Sequence, residues 1–111
     1  MNTEEIRDHA LSKEDVSESF PFGEGTLVFK TGTKIFLLLS LDNAPVTFNV
    51  KCDPDKAVEL REEYPENILP GYHMNKKHWN TVIPEGLKKA ILREMIDDSY
   101  ALVAKVKTKR K

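Results

Sequence analysis

An α+β domain built on one antiparallel sheet is the fold this sequence predicts, and three observations predict it. Three strand-like segments succeed one another between residues 27 and 50, separated only by turn residues. Asp53-Pro54 then starts a helix cleanly, with an acidic N-cap and proline at the first helical position. The last third of the chain carries Leu92, Met95, Ile96, Ser99, Leu102, Val103 and Val106 on one stripe at helical spacing. Helices segregated beside an antiparallel sheet make an α+β domain.

Thr3 to Leu11 reads as the first helix, with Thr3 or Asn2 as N-cap, acidic residues in the first turn and an apolar face of Ile6 and Ala10. Pro21, Gly23 and Gly25 then punctuate the chain. Leu27 and Phe29 alternate with Val28 and Lys30, and Thr31-Gly32-Thr33 is a tight-turn candidate. Lys34 to Ser40 resumes as a strand apolar on both faces. Asp42-Asn43-Ala44-Pro45 supplies the next turn. Val46, Phe48 and Val50 then alternate with Thr47, Asn49 and Lys51, a strand with one buried face.

In the second helix Ala57, Leu60, Arg61 and Tyr64 share one side, and Pro65 ends it. Residues 70–82 read as two short extended segments around Asn75-Lys76-Lys77. Pro84 opens the last helical region, which Asp97-Asp98-Ser99 either breaks or leaves whole, Ser99 being a good N-cap. The predicted order is α-β-β-β-α-β-β-α(α), with a five-stranded sheet in a single domain over residues 1–111.

At 111 residues, 40% hydrophobic and 32% charged, the chain suits one core without disulfides or metal staples. Its longest apolar run, Ile35 to Leu39, falls far short of a membrane span, so no membrane partner is expected. The opening Met-Asn-Thr-Glu-Glu has no secretory character, and the one cysteine, Cys52, cannot form an internal disulfide. The expected compartment is the cytosol. A net charge of −1 gives no global attraction to nucleic acid, but the charge is uneven. Residues 1–24 are acidic, whereas Lys105, Lys107, Lys109, Arg110 and Lys111 crowd the other end as a phosphate-binding arm or a solvated tail.

The most informative stretch is Pro70-Gly71-Tyr72-His73-Met74-Asn75-Lys76-Lys77-His78-Trp79-Asn80-Thr81-Val82, which holds the only tryptophan and two of the three histidines. So many polar groups cannot be buried cheaply without partners. Lys76 and Lys77 are candidates for phosphate contact from a turn tip, with Asn75 or Asn80 bonding a base edge or phosphate. Tyr72 and Trp79 either stack on a base or pack against the last helix, packing being the commoner fate of large aromatics. His73 and His78 match no zinc-ligand spacing, and no metal or other cofactor is expected. Cys52, just before a helix start, is a candidate reactive thiol or a small buried hydrophobe. Neither a nucleophile elbow nor a phosphate-cradling glycine loop is present, so an enzyme is not expected.

Phe20-Pro21-Phe22-Gly23, Lys34-Ile35-Phe36, Lys51-Cys52-Asp53-Pro54, Leu60 to Pro65, the stretch from Pro70 to Val82, and Asp98-Ser99-Tyr100 together resemble the MmcQ/YjbR family of small bacterial proteins. The resemblance runs over almost the whole chain. It implies a compact α+β fold like that of type III secretion chaperones and the CyaY-like group, and a DNA-binding role with a "double wing" arrangement. It implies no catalytic residues.

The expectation is therefore a cytoplasmic, non-enzymatic DNA-binding domain. His73, Lys76, Lys77 and His78 contact phosphate, Asn75 and Asn80 add polar contacts, and Lys107, Lys109, Arg110 and Lys111 assist. Pro70, Gly71, Tyr72 and Trp79 support the motif. The rivals are a protein-interaction or chaperone-like module and a small-ligand pocket lined by Tyr72, His73 and Trp79. Oligomeric state is not legible in the sequence.

Overall fold

The computed structural model describes residues 1–42, 45–71 and 74–108, with side chains described through residue 104. Helix α1 (Thr3–Leu11) starts at Asn2, whose side chain accepts from the Glu5 amide at 2.8 Å while Glu5 Oε1 accepts from the Asn2 amide at 3.0 Å. That reciprocal capping box satisfies two otherwise orphaned donors. Helix α2 (Pro54–Glu63) is capped by Asp53, whose carboxylate accepts from the Asp55 amide at 3.0 Å.

Six strands form one antiparallel sheet: β1 (Val16–Ser19), β2 (Thr26–Thr31), β3 (Lys34–Ser40), β4 (Thr47–Lys51), β5 (Ile68–Pro70) and β6 (Trp79–Val82). Their spatial order is β1-β2-β3-β4-β6-β5. The sheet thus has one strand more than the five the sequence predicts, and the addition is β1. Its Val-Ser-Glu-Ser sequence offers one apolar residue and little strand propensity. What holds it is pairing with β2 and a bidentate contact across to α1, where Arg7 meets Glu18 at 2.7 and 2.5 Å. An inward-pointing charge on a short edge strand also discourages pairing with other chains.

Between β2 and β3 the register slips: Phe29 pairs with Leu37, but Lys30 pairs with Ile35. Phe36 is the extra residue, a bulge that turns both Phe36 and Leu37 into the core. The apolar run Ile35 to Leu39 is therefore divided between the two faces by a bulge as well as by alternation.

The C-terminal region is one unbroken helix, α3 (Lys89–Thr108), so Ser99 is not an N-cap. Ser99 is fully buried; its Oγ donates to the Phe36 carbonyl at 2.5 Å and accepts from the Lys51 amide at 2.8 Å. The β3–β4 ladder ends at Leu37↔Val50, so the hydroxyl bridges the two strands one step beyond it. Tertiary bonding outweighs the capping preference of serine here.

All three helices cover the same face of the sheet. Ile6 and Ala10 of α1, Ala57 and Leu60 of α2, and Leu92, Met95, Ile96 and Val103 of α3 share one core with Phe29, Leu37, Phe48, Val50, Ile68 and Val82. Burying each of the larger side chains contributes roughly 1.5–3 kcal/mol. Among the described residues, no helix is long and apolar enough to cross a membrane.

Candidate nucleic-acid interface

The turn between β5 and β6 is fixed from several sides. Asn75 Oδ1 accepts from the Lys77 amide at 3.0 Å, and the Asn75 carbonyl accepts from the amides of His78 and Trp79 at 3.1 and 3.0 Å. The His78 carbonyl in turn accepts from the Cys52 amide at 2.7 Å, tying the turn to the end of β4. Gly71 donates to the Trp79 carbonyl at 2.9 Å. A Cβ at Gly71 would stand 2.8 Å from Trp79 Cβ and 3.0 Å from its carbonyl oxygen, so only glycine permits this approach.

Arg61, on α2, anchors the turn from the helical side. Its Nε donates to Asn80 Oδ1 at 2.8 Å, and its Nη2 donates to the carbonyls of Lys76 and Trp79. The sequence places Arg61 on the apolar side of α2 without giving it a role. The one signal is a long cation on an otherwise apolar stripe.

Asn80 departs from expectation. It is fully buried on the helix face, bonded to Arg61, and supports the turn from inside instead of facing a ligand. Its Nδ2 has no partner among the described residues. It lies beside a void of about 10 Å³ lined by Val50, Cys52, Leu60 and Met95, room for about one water molecule.

Trp79 and Thr81 alternate with Asn80 and Val82, so they project from the opposite, helix-free face. Trp79 is half-buried and stands apart from the core, so the expected packing against the last helix does not occur. Lys51 is its cross-strand partner. Asn49 and Thr81 are joined on this face by a 2.5 Å hydrogen bond from Thr81 Oγ1. Val28, Lys30, Ile35 and Leu38 continue the same surface, since Val28 pairs with Leu38 and Lys30 with Ile35.

Charge divides between the two layers. Among the strand residues the sole carboxylate is Glu18, and it lies on the helix face, held by Arg7. The helices, by contrast, carry Glu4, Glu5, Asp8, Asp55, Glu59, Glu62, Glu63, Glu94, Asp97 and Asp98. Ion pairs among the described residues use Arg7, His9, Lys13, Lys56 and Lys89, and none uses Lys30, Lys51, Lys76 or Lys77. The acidic α1 packs against β1 at one edge, four strand positions from β6, or roughly 19 Å at about 4.8 Å per strand.

Of the expected contact residues, Lys76, Lys77 and Asn75 are exposed at the turn and His78 is half-buried. Tyr72, His73, Lys109, Arg110 and Lys111 lie outside the described residues. Lys107 falls on the last turn of α3, and its side chain is likewise outside the description. Pro70 ends β5. Cys52 is 7% exposed, at the edge of a largely apolar groove of about 280 Å³ between α2 and α3. Burial pushes its thiol up, with Asp98 adding to the shift, opposite to what activation by the start of α2 would produce.

A family model described as YjbR matches residues 11–102. The chain is 45% identical over 102 residues to the uncharacterized protein YbdF of Escherichia coli O157:H7, covering 91% of this chain and 83% of that one. It is 26% identical to the uncharacterized protein YjbR of Escherichia coli K12, covering 90% and 85%. Among solved structures, Deinococcus radiodurans protein DR2400 superposes with a TM-score of 0.88 at 38% identity, over 94% of this chain and 79% of that one. A protein from Pseudomonas syringae gives 0.78 at 28% identity, over 93% and 99%.

Proposed function

The chain belongs to the YjbR family, and we propose that it is a cytoplasmic, non-enzymatic DNA-binding protein that contacts phosphate through the Lys76–Lys77 turn and the lysines of the helix-free sheet face. The observation that carries this reading is the division of charge. A net charge of −1 conceals an acid-rich helical layer and a sheet face with lysines and no strand carboxylate. Phosphate binding needs a local positive surface, not a positive protein. The bonded turn adds a second support, because its backbone is already ordered and only the two lysine side chains remain to be fixed on binding.

The test is fluorescence anisotropy of labelled single- and double-stranded DNA over a salt series, with the wild type and with K76E/K77E. Affinity should fall log-linearly with salt, and charge reversal should weaken binding and flatten the slope. Absence of binding at low salt, or a double variant that binds as the wild type does, contradicts the reading.

A protein-interaction module is the second reading, and one observation favours it. Phe20 and Phe22 are 48% and 67% exposed on the β1–β2 connection, with Leu41 also exposed close by, where its amide bonds the Gly25 carbonyl. A nuclease-insensitive protein partner that F22S no longer recovers would support it over DNA binding.

A further inference from the structure

We infer that the nucleic acid taken by this face is single-stranded, with an unpaired base stacked on Trp79 and neighbouring phosphates on Lys51 and the Lys76–Lys77 turn; this rests on the DNA-binding reading above. The position of Trp79 is the decisive observation. Large aromatics are normally drawn into the core, yet here the buried member of the Trp79-Asn80 pair is the asparagine. The indole is half-buried on the helix-free face, next to Lys51 on the adjoining strand.

That location is held firmly. The Trp79 amide donates to the Asn75 carbonyl, and its own carbonyl accepts from Gly71 and Arg61. A ring on a fixed backbone beside a cation suits base stacking, which needs a π-face and a nearby phosphate partner but no base-specific bonding. Lys30 extends the positive row across the sheet, on the far side of Ile35 from Lys51 and Trp79. Asn49 and Thr81 bond to each other along the same face.

Among the described residues, this side carries no helix for insertion into a duplex groove. Base edges in a groove are reached by an inserted helix or a protruding ribbon. The three helices lie on the opposite face, and they carry most of the acidic residues. A sheet face that carries an aromatic instead suits bases already splayed from a strand.

Trp79 is the only tryptophan, so its emission reports on this site alone. The experiment titrates the full chain at low salt with an oligothymidylate, an oligouridylate of equal length and a duplex, following Trp79 fluorescence and anisotropy of labelled oligonucleotide together. The expected result is quenching by the single strands, single-strand affinity above duplex affinity, and a loss of about tenfold or more in W79A. W79F should keep part of that affinity and provides a milder change should W79A fold poorly, while the wild-type quench needs no variant. The two single-strand arms decide between DNA and RNA as the source of the strand. Single-strand binding without quenching, equal or tighter duplex binding, or a folded W79A of unchanged affinity overturns the inference and leaves phosphate binding standing. No binding by any of the three overturns both.

Discussion

The two faces of this sheet are made by the same strands and differ in almost every other respect. Phe48, Val50, Asn80 and Val82 look toward the helices, where each is buried; Asn49, Lys51, Trp79 and Thr81, their immediate neighbours, look toward solvent and are partly exposed. One face receives an apolar layer of helices rich in carboxylates, and the other carries no helix among the described residues and presents Lys30 and Lys51 without a strand carboxylate. Alternation at period two thus lets β4 and β6 supply the core through one set of residues and leaves the other set free for the proposed recognition.

Truncating one aromatic on each side should separate the two faces most clearly. Phe48→Ala should cost about 3–5 kcal/mol in urea denaturation, as for a fully packed core phenylalanine. Trp79→Ala should cost less than about 2 kcal/mol, since its ring is only half-buried. Equal losses would mean that the open face is structural after all.

Ser99→Ala comes next. It leaves the Phe36 carbonyl and Lys51 amide without their bridge and should cost about 1–3 kcal/mol. The same change at Ser17, exposed on the open side of the edge strand, should stay within about 0.5 kcal/mol by the same denaturation measurement.

Arg61→Ala should affect both faces, because the guanidinium sits on the helical side yet bonds the turn that leads into β6. Removing it takes a donor from Asn80 Oδ1 and from the Lys76 carbonyl, while the Trp79 carbonyl keeps its bond from Gly71. We expect a loss of about 1–3 kcal/mol in stability and weaker oligonucleotide binding from a loosened turn, both measurable on one preparation. Stability lost with binding intact would show that the turn does not depend on this anchor.

The smallest effect is on pH. Burial raises the Asp97 carboxyl, but hydrogen bonds from Lys13 and His9 outweigh this and hold it below its ordinary range. A carboxyl lowered on folding contributes stability that is complete above its unfolded value and lost as pH falls through the folded one. The docking of α1 on α3 should therefore weaken below about pH 4. In urea midpoints measured against pH, D97N should flatten that acid limb; an unchanged limb would assign the sensitivity to other carboxylates.

What the sequence disclosed was the chemistry that stays local. Asn2 with Glu5, and Asp53 with Pro54, are complete helix starts within four residues, and both helices begin where their caps indicate. Gly32 takes φ 62° in the two-residue turn that joins β2 to β3, the glycine position of a tight hairpin. Features that depend on distant partners were hidden. Strand β1 forms because Arg7 and β2 receive it, not because Val-Ser-Glu-Ser prefers extension. Ser99 looks like a cap until Phe36 and Lys51 stand beside it. The inversion at Trp79-Asn80 has the same origin: without Arg61 as a partner for the asparagine, burying the tryptophan and exposing the asparagine is the sound expectation. The sequence thus singled out the segment but assigned Trp79 and Asn80 to the wrong faces of β6.

The most direct test of the division between faces is a map of amide chemical-shift changes in the isotopically labelled protein on addition of an oligothymidylate at low salt. Changes should concentrate at Lys30, Asn49, Lys51, the Lys76–Lys77 turn, Trp79 and Thr81, with α1 and the outer surface of α3 unmoved. Changes centred on the helical layer, or none at any residue, would contradict that division.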